Sequence, residues 1–151
     1  MRSKAFFING GAGRVITSIP AFEKYAETHD DFIIVCEGGM NFYKSHPVLH
    51  KYAYDNWHKG LFEDKIKDRD CVTPEPYRRW HYYNQKCSIA QAFDLEINGI
   101  DEPRDLPKPT IKLAKSEGIQ GLQLVDEAIK VTGKEKVIVV QPFGRGVHDE
   151  G

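Results

Sequence analysis

No stretch of this 151-residue chain approaches the roughly 18–20 consecutive apolar residues that a membrane-spanning helix needs. The N-terminus, Met1-Arg2-Ser3-Lys4, runs straight into a strand-like segment without the apolar core and small-residue cleavage site of a secretory signal. The expected location is therefore cytoplasmic. Cysteine is scarce: Cys36, Cys71 and Cys87 are odd in number and show no C-x-x-C spacing, which argues against a disulfide framework or a thiolate zinc site. Charge of one sign is missing too. A formal net charge of -1 provides no field to hold nucleic acid or an anionic membrane, so neither is an expected partner. Of six histidines only His46 and His50 are spaced for a shared ligand; Pro47 breaks the helical face between them and no third ligand is at hand, so no metal is expected. Internal repeats and low-complexity tracts are also lacking.

What the chain has is 40% hydrophobic and 28% charged residues, enough for one ordinary core. Three short apolar runs are continuous rather than alternating, at residues 5–8, 32–36 and 137–140, the last preceded by Lys136 in a strand expected over 136–140. Such runs fit strands buried on both faces, as in a parallel sheet. Between the first two, Val15, Ile16, Ile19, Phe22 and Ala26 recur at helical spacing, with Pro20 expected to kink or restart the helix. Strand, helix and strand in so short a span make a right-handed βαβ unit. Residues 48–54 and 70–73 are weaker strand candidates. Ser88-Ile89-Ala90-Gln91 is a capping box opening a helix that ends at Asn98-Gly99. Three prolines in residues 102–109 predict an extended connector near a boundary. Ile119, Leu122, Val125 and Ile129 stripe a further helix ending at Gly133, and the acidic run at 148–150 reads as a solvated loop. The fold class is α/β, a Rossmann-like and mainly parallel sheet flanked by helices.

Chemistry concentrates in two segments. In Asn9-Gly10-Gly11-Ala12-Gly13-Arg14, glycines between a strand and a helix N-terminus let a ligand approach bare backbone, where free N–H groups and the helix dipole favour anionic or oxygen-rich groups. A tight turn needing glycine only for its dihedrals is the competing reading. Gly11 and Gly13 begin a dinucleotide fingerprint, but Ile16 stands where its third glycine belongs, and Glu37 at the end of the second strand is placed for a ribose-binding acid. In Pro76-Tyr77-Arg78-Arg79-Trp80-His81-Tyr82-Tyr83, aromatic faces suit sugars or bases and the guanidiniums suit phosphate or carboxylate. Aromatics packed beneath a long loop would give the same pattern.

Gly11-Ala12-Gly13 followed by Val15-Ile16 and Pro20 resembles the opening, G-x-G-D and a later proline, of glycosyltransferase family 9, the heptosyltransferases of lipopolysaccharide core assembly. His46-Pro47-Val48-Leu49-His50-Lys51 is similar to that family's helix end, proline and returning strand. Residues 88–97 with 102–109 resemble its helix and inter-domain approach, and residues 137–144 resemble the strand and proline-glycine loop that open its nucleotide-sugar domain.

The resemblance implies the first half of a two-domain GT-B fold: an acceptor-side domain over residues 1–134 and the start of a truncated nucleotide-sugar domain at 135–151. It implies transfer of a sugar from a nucleotide-sugar donor, held by that second domain, to a carbohydrate or other acceptor hydroxyl, without metal or cofactor. Gly10, Gly11, Gly13, Arg14, Arg78, Arg79 and Trp80 are then the substrate-binding candidates. Arg14 stands where the family has its catalytic aspartate, and a guanidinium cannot serve as general base. Glu37 is the expected substitute, with Arg14 facing the cleft beside it to keep it ionised. The alternatives are a nucleotide- or dinucleotide-binding oxidoreductase domain and a non-catalytic carbohydrate-binding domain derived from a transferase.

Overall fold

Two of the three continuous apolar runs lie side by side at the centre of one sheet. The computed structural model describes residues 2–142. β1 (Lys4–Ile8) pairs in parallel with β2 (Phe32–Cys36), Ile8 opposite Cys36. The two weaker runs supply the edges: β3 (Ala53–Asp55) is parallel to β2 and β4 (Asp70–Val72) is parallel to β1. The order is β3-β2-β1-β4, every pairing is parallel, and helices flank the sheet as the α/β class requires.

Both faces are covered, which explains the unbroken apolar runs. Phe6, Ile8, Phe32, Ile34 and Cys36 share one core with α1 (Ala12–Ala26), α2 (Met40–Lys44) and α4 (Ile89–Asn98). Phe6 lies edge-on to Phe22 at 5.3 Å and to Tyr25 at 5.1 Å, while Phe32 stacks on Tyr52 at 4.0 Å. Each such pair adds about 0.5–1.5 kcal/mol beyond simple burial, so this face carries most of the packing energy. The opposite face is thinner. There, among the described residues, Ala5, Ile33 and Val35 meet only Leu61 and Ile66 as buried partners, from a π-helical turn at Phe62–Ile66 and the residue before it.

α1 does not break at Pro20; it stays continuous from Ala12 to Ala26. Pro20 is buried, as are Ile19, Ala21 and Phe22 around it, and packing on the sheet offsets the roughly 3 kcal/mol that an interior proline costs. His46 is structural. Its Nδ1 accepts the Val48 and Leu49 N–H groups, both at 3.0 Å, which places its proton on Nε2, donated to Glu23 Oε1 at 2.7 Å. His50 donates from Nδ1 to the His46 carbonyl at 2.9 Å.

The capping box of α4 is formed as expected, Ser88 Oγ accepting from Gln91 N at 3.2 Å and Gln91 Oε1 from Ser88 N at 2.9 Å, and Gly99 ends the helix in the left-handed region. The proline-rich connector is irregular but pinned. Arg104 donates from Nε and Nη2 to the buried carboxylate of Asp94 at 2.6 and 3.0 Å, and its carbonyl accepts from Gln91 Nε2 at 2.9 Å. Asn98 completes the network, donating to Asp94 Oδ1 at 2.6 Å and to the Ala21 carbonyl of α1 at 3.0 Å.

The chain divides into a compact unit, Met1–Lys112, and a second, Leu113–Gly151. The expectation of a boundary at 134/135 concerned the start of a nucleotide-sugar domain, on which these units do not bear. The described part of the second unit consists of α5 (Lys115–Thr132), which carries the expected stripe and is closed by Gly133, and of an irregular segment after it. The strand expected at 136–140 does not form: among the described residues of its own unit the run has no neighbouring strand to complete its backbone hydrogen bonds, and its side chains are exposed. The last part of the expected proline-glycine loop, Phe143 and Gly144, and the acidic run at 148–150 lie outside the described residues. No helix among the described residues is long and apolar enough to cross a membrane.

Arg104→Ala should destabilise the first unit by about 2–3 kcal/mol, because it leaves the fully buried Asp94 carboxylate without its bidentate partner. Urea unfolding monitored by circular dichroism measures this; a change below about 0.5 kcal/mol would show that the network is not holding the connector.

Candidate functional site

The carboxyl ends of the parallel strands gather the residues singled out in the sequence. β1 runs into Asn9 and Gly10, then Gly11 caps α1 with no side-chain cap and no acidic residue in the first turn. Gly10 has φ +105, and a Cβ there would meet Arg14 Cδ at 2.9 Å. Its glycine is therefore required by the fold. Gly11 and Gly13 are different: a Cβ at either would meet nothing within 4 Å, and neither has a positive φ. They leave an open strip of backbone at the helix N-terminus, where unpaired N–H groups and the dipole favour an oxygen-rich ligand.

Glu37 follows β2 directly, and the β1–β2 register sets it alongside Asn9. Its side chain is exposed and has no partner among the described residues. Arg14 is not beside it. The Arg14 guanidinium crosses instead toward β4, donating from Nη2 to the Pro74 carbonyl at 3.0 Å and lying over Tyr77 at 5.5 Å and Phe93 at 5.8 Å. The expectation that Arg14 would face an open cleft beside Glu37 is thus corrected. Two aromatic rings and a carbonyl draw the guanidinium inward, and its Nε is buried with no hydrogen-bond partner among the described residues.

This strap lies where the strand order turns back. In doubly wound sheets the connections leave on opposite faces at such a point and open a crevice. Here α4, which follows β4, packs over the same face as α1, and Arg14 ties the two turns together across the gap.

Residues 76–83 form a 3₁₀ turn, Pro76–Arg78, and the short helix α3 (Trp80–Tyr83). The aromatics do not pack beneath a loop: Trp80 is 63% exposed, Tyr83 81% and Tyr77 47%. Arg78 is exposed without a partner among the described residues, whereas Arg79 is engaged, its Nε 3.5 Å from Glu96 and its Nη2 3.5 Å from the Ile100 carbonyl. Tyr77, Tyr82, Tyr83, Gln85 and Cys87 line an open cavity of about 400 Å³. A second cavity, of about 410 Å³, lies on the thin side of the sheet among Phe7, Val35, Asn56, His58 and Phe62.

Burial disfavours the thiolate at two of the three cysteines. Cys36 is buried against Met40, and burial first, then the Asp55 charge, pushes its thiol up to about 11. Burial likewise raises Cys87. Tyr43, fully buried and bonded to Ser18, is raised by burial as well.

Gln85, on the wall of the first cavity, is a candidate residue that sequence reading missed. No pattern marked it, because a glutamine after a helix has no preference for the conformation it adopts here.

Gly10→Ala should cost about 1–3 kcal/mol, through its positive φ and the contact with Arg14, while Gly13→Ala, in open helical space, should leave stability unchanged or raise it by up to about 1 kcal/mol. Equal losses in chemical unfolding of the two variants would contradict the division into a glycine the fold requires and one that stands in open space.

Comparison of the chain with models of known protein families, with curated proteins and with solved structures found no match in any of the three.

Proposed function

We propose that this chain is the acceptor-side domain of a nucleotide-sugar-dependent glycosyltransferase. The observation that carries this reading is the juxtaposition at the sheet's carboxyl edge: a bare, uncapped helix N-terminus at Gly11 and Gly13 beside the partnerless carboxylate of Glu37. Backbone N–H groups suit the oxygens of a polyol or phosphate, and a solvated carboxylate next to them suits a hydroxyl that must lose its proton. In the transfer, Glu37 takes the proton of the acceptor hydroxyl as its oxygen bonds the sugar's anomeric carbon and the bond from that carbon to the donor's diphosphate breaks. The diphosphate charge is met by groups of a nucleotide-sugar domain. Gly10 and Arg14 support the turn, and Arg78, Arg79 and Trp80 border the acceptor side.

Arg14 favours a second reading. It stands at the position of the family's aspartate and is committed to Pro74, Tyr77 and Phe93, which fits a domain that keeps carbohydrate binding and has given up transfer.

Glu37→Gln in the complete gene product, supplied with donor and acceptor, should lower turnover at least about a hundredfold with little change in acceptor affinity. Near-normal turnover would remove Glu37 as base, and absence of any transfer by the unaltered protein with acceptor binding intact would leave the binding reading. Calorimetric titration with NAD separates the dinucleotide alternative, for which binding of NAD in preference to sugar nucleotides is the expected result.

A further inference from the structure

Gln85 is the only residue other than glycine with a positive φ among the described residues, at φ 57. It ends α3 in a Schellman arrangement: Gln85 N donates to the Tyr82 carbonyl at 3.0 Å and Lys86 N to the His81 carbonyl at 2.7 Å. This position favours glycine, and any side chain there sits in a sparsely populated conformation. The sequence nevertheless places a long amide on the wall of the cavity that Tyr77, Tyr82 and Tyr83 line. Strain of this kind, retained at the rim of a cavity, points to a use for the side chain that outweighs its conformational cost.

The lining specifies the ligand. All five residues, Tyr77, Tyr82, Tyr83, Gln85 and Cys87, are uncharged, which selects a neutral polar molecule over a phosphate or carboxylate. The Tyr77 and Tyr82 rings meet at 79° with centroids 5.7 Å apart, a corner rather than the parallel slot that grips a planar base from both sides. A ring face in such a corner fits the C–H face of a pyranose, and an amide, offering both donor and acceptor, fits vicinal hydroxyls. The volume, about 400 Å³, lies in the range of small-ligand sites. Tyr77 is also fixed from within by Arg14 over its ring, so one wall is preorganised.

We infer that this cavity is a subsite for a neutral hexopyranose ring, stacked on the tyrosines and held through two hydroxyls by the Gln85 amide. The inference deepens the acceptor-side reading by naming where a sugar of the acceptor rests.

The test uses the full chain and three probes, methyl α-D-glucopyranoside, methyl α-D-mannopyranoside and methyl β-D-galactopyranoside, with binding followed by amide chemical shifts in NMR and by protection of Cys87 from iodoacetamide. At least one probe should bind, shift the amides of Tyr82 to Cys87 and slow Cys87 alkylation, leaving the exposed Cys71 unaffected. Gln85→Gly should weaken binding at least tenfold while the unfolding midpoint stays equal or rises, because glycine relieves the positive φ. Tyr83→Ala, at an exposed side chain, should weaken binding without loss of fold. Three results overturn the inference: no probe binding, unchanged affinity in Gln85→Gly, or uridine and adenosine shifting these amides while the glycosides do not. Transfer by the complete gene product that is unaffected by Gln85→Gly would remove this subsite and keep the transferase; glycoside binding without transfer would do the reverse.

Discussion

The turn after β2 lies against the turn after β1 more closely than side chains would allow, and the rest of the site depends on that approach. A Cβ at Gly39 would come within 2.9 Å of the Ala12 Cα and 3.1 Å of Val15 Cγ2, and one at Gly38 within 3.1 Å of the Gly10 carbonyl oxygen. Gly39 needs its glycine twice over, since its φ is +69. Because these two residues have no side chains, the first turn of α1 seats directly on the entrance to α2. That seating puts Glu37 beside the bare N-terminus of α1.

From Arg14 the arrangement propagates outward. The guanidinium joins the first and last strands' turns through Pro74, and its contact with Tyr77 fixes the ring that walls the aromatic cavity. On the other side of α4, Asp94 and Arg104 hold the proline-rich connector, and Asn98 ties that network to α1. The helices over the Phe6 face are thus fixed at both ends by polar contacts and in the middle by stacked and edge-on rings, whereas the opposite face rests on one turn. A rigid platform with loops along its carboxyl edge is the arrangement by which open α/β sheets present ligand sites.

Much of the fold was legible in the sequence because the features concerned are local. The runs 5–8 and 32–36 have no polar interruption and became β1 and β2; Ser88 and Gln91 lie three residues apart and cap α4; Gly99 and Gly133 end helices. What was not legible depends on distant partners. The run 136–140 has the composition of a buried strand, but strand formation needs a neighbour, which composition does not report. Pro20 reads as a break only if the packing around it is ignored. Arg14 reads as facing a cleft only when Pro74, Tyr77 and Phe93, which capture it from far away in sequence, are left out. Within the candidate site, the glycines and Glu37 were visible from their places beside apolar runs, while Gln85 was hidden because its significance lies in a backbone angle.

Whether ligands meet this domain at the carboxyl edge of its sheet is decided by amide-resolved NMR of the chain during titration with a mixture of oligosaccharides. Ligand binding at that edge gives shifts confined to Gly10, Gly11, Ala12 and Gly13, to Glu37 and Gly38, and to the segment from Tyr77 to Cys87. Shifts centred instead on the opposite edge, around Ser3, Lys4 and Asp31, or the absence of any shift at saturating sugar, would contradict it.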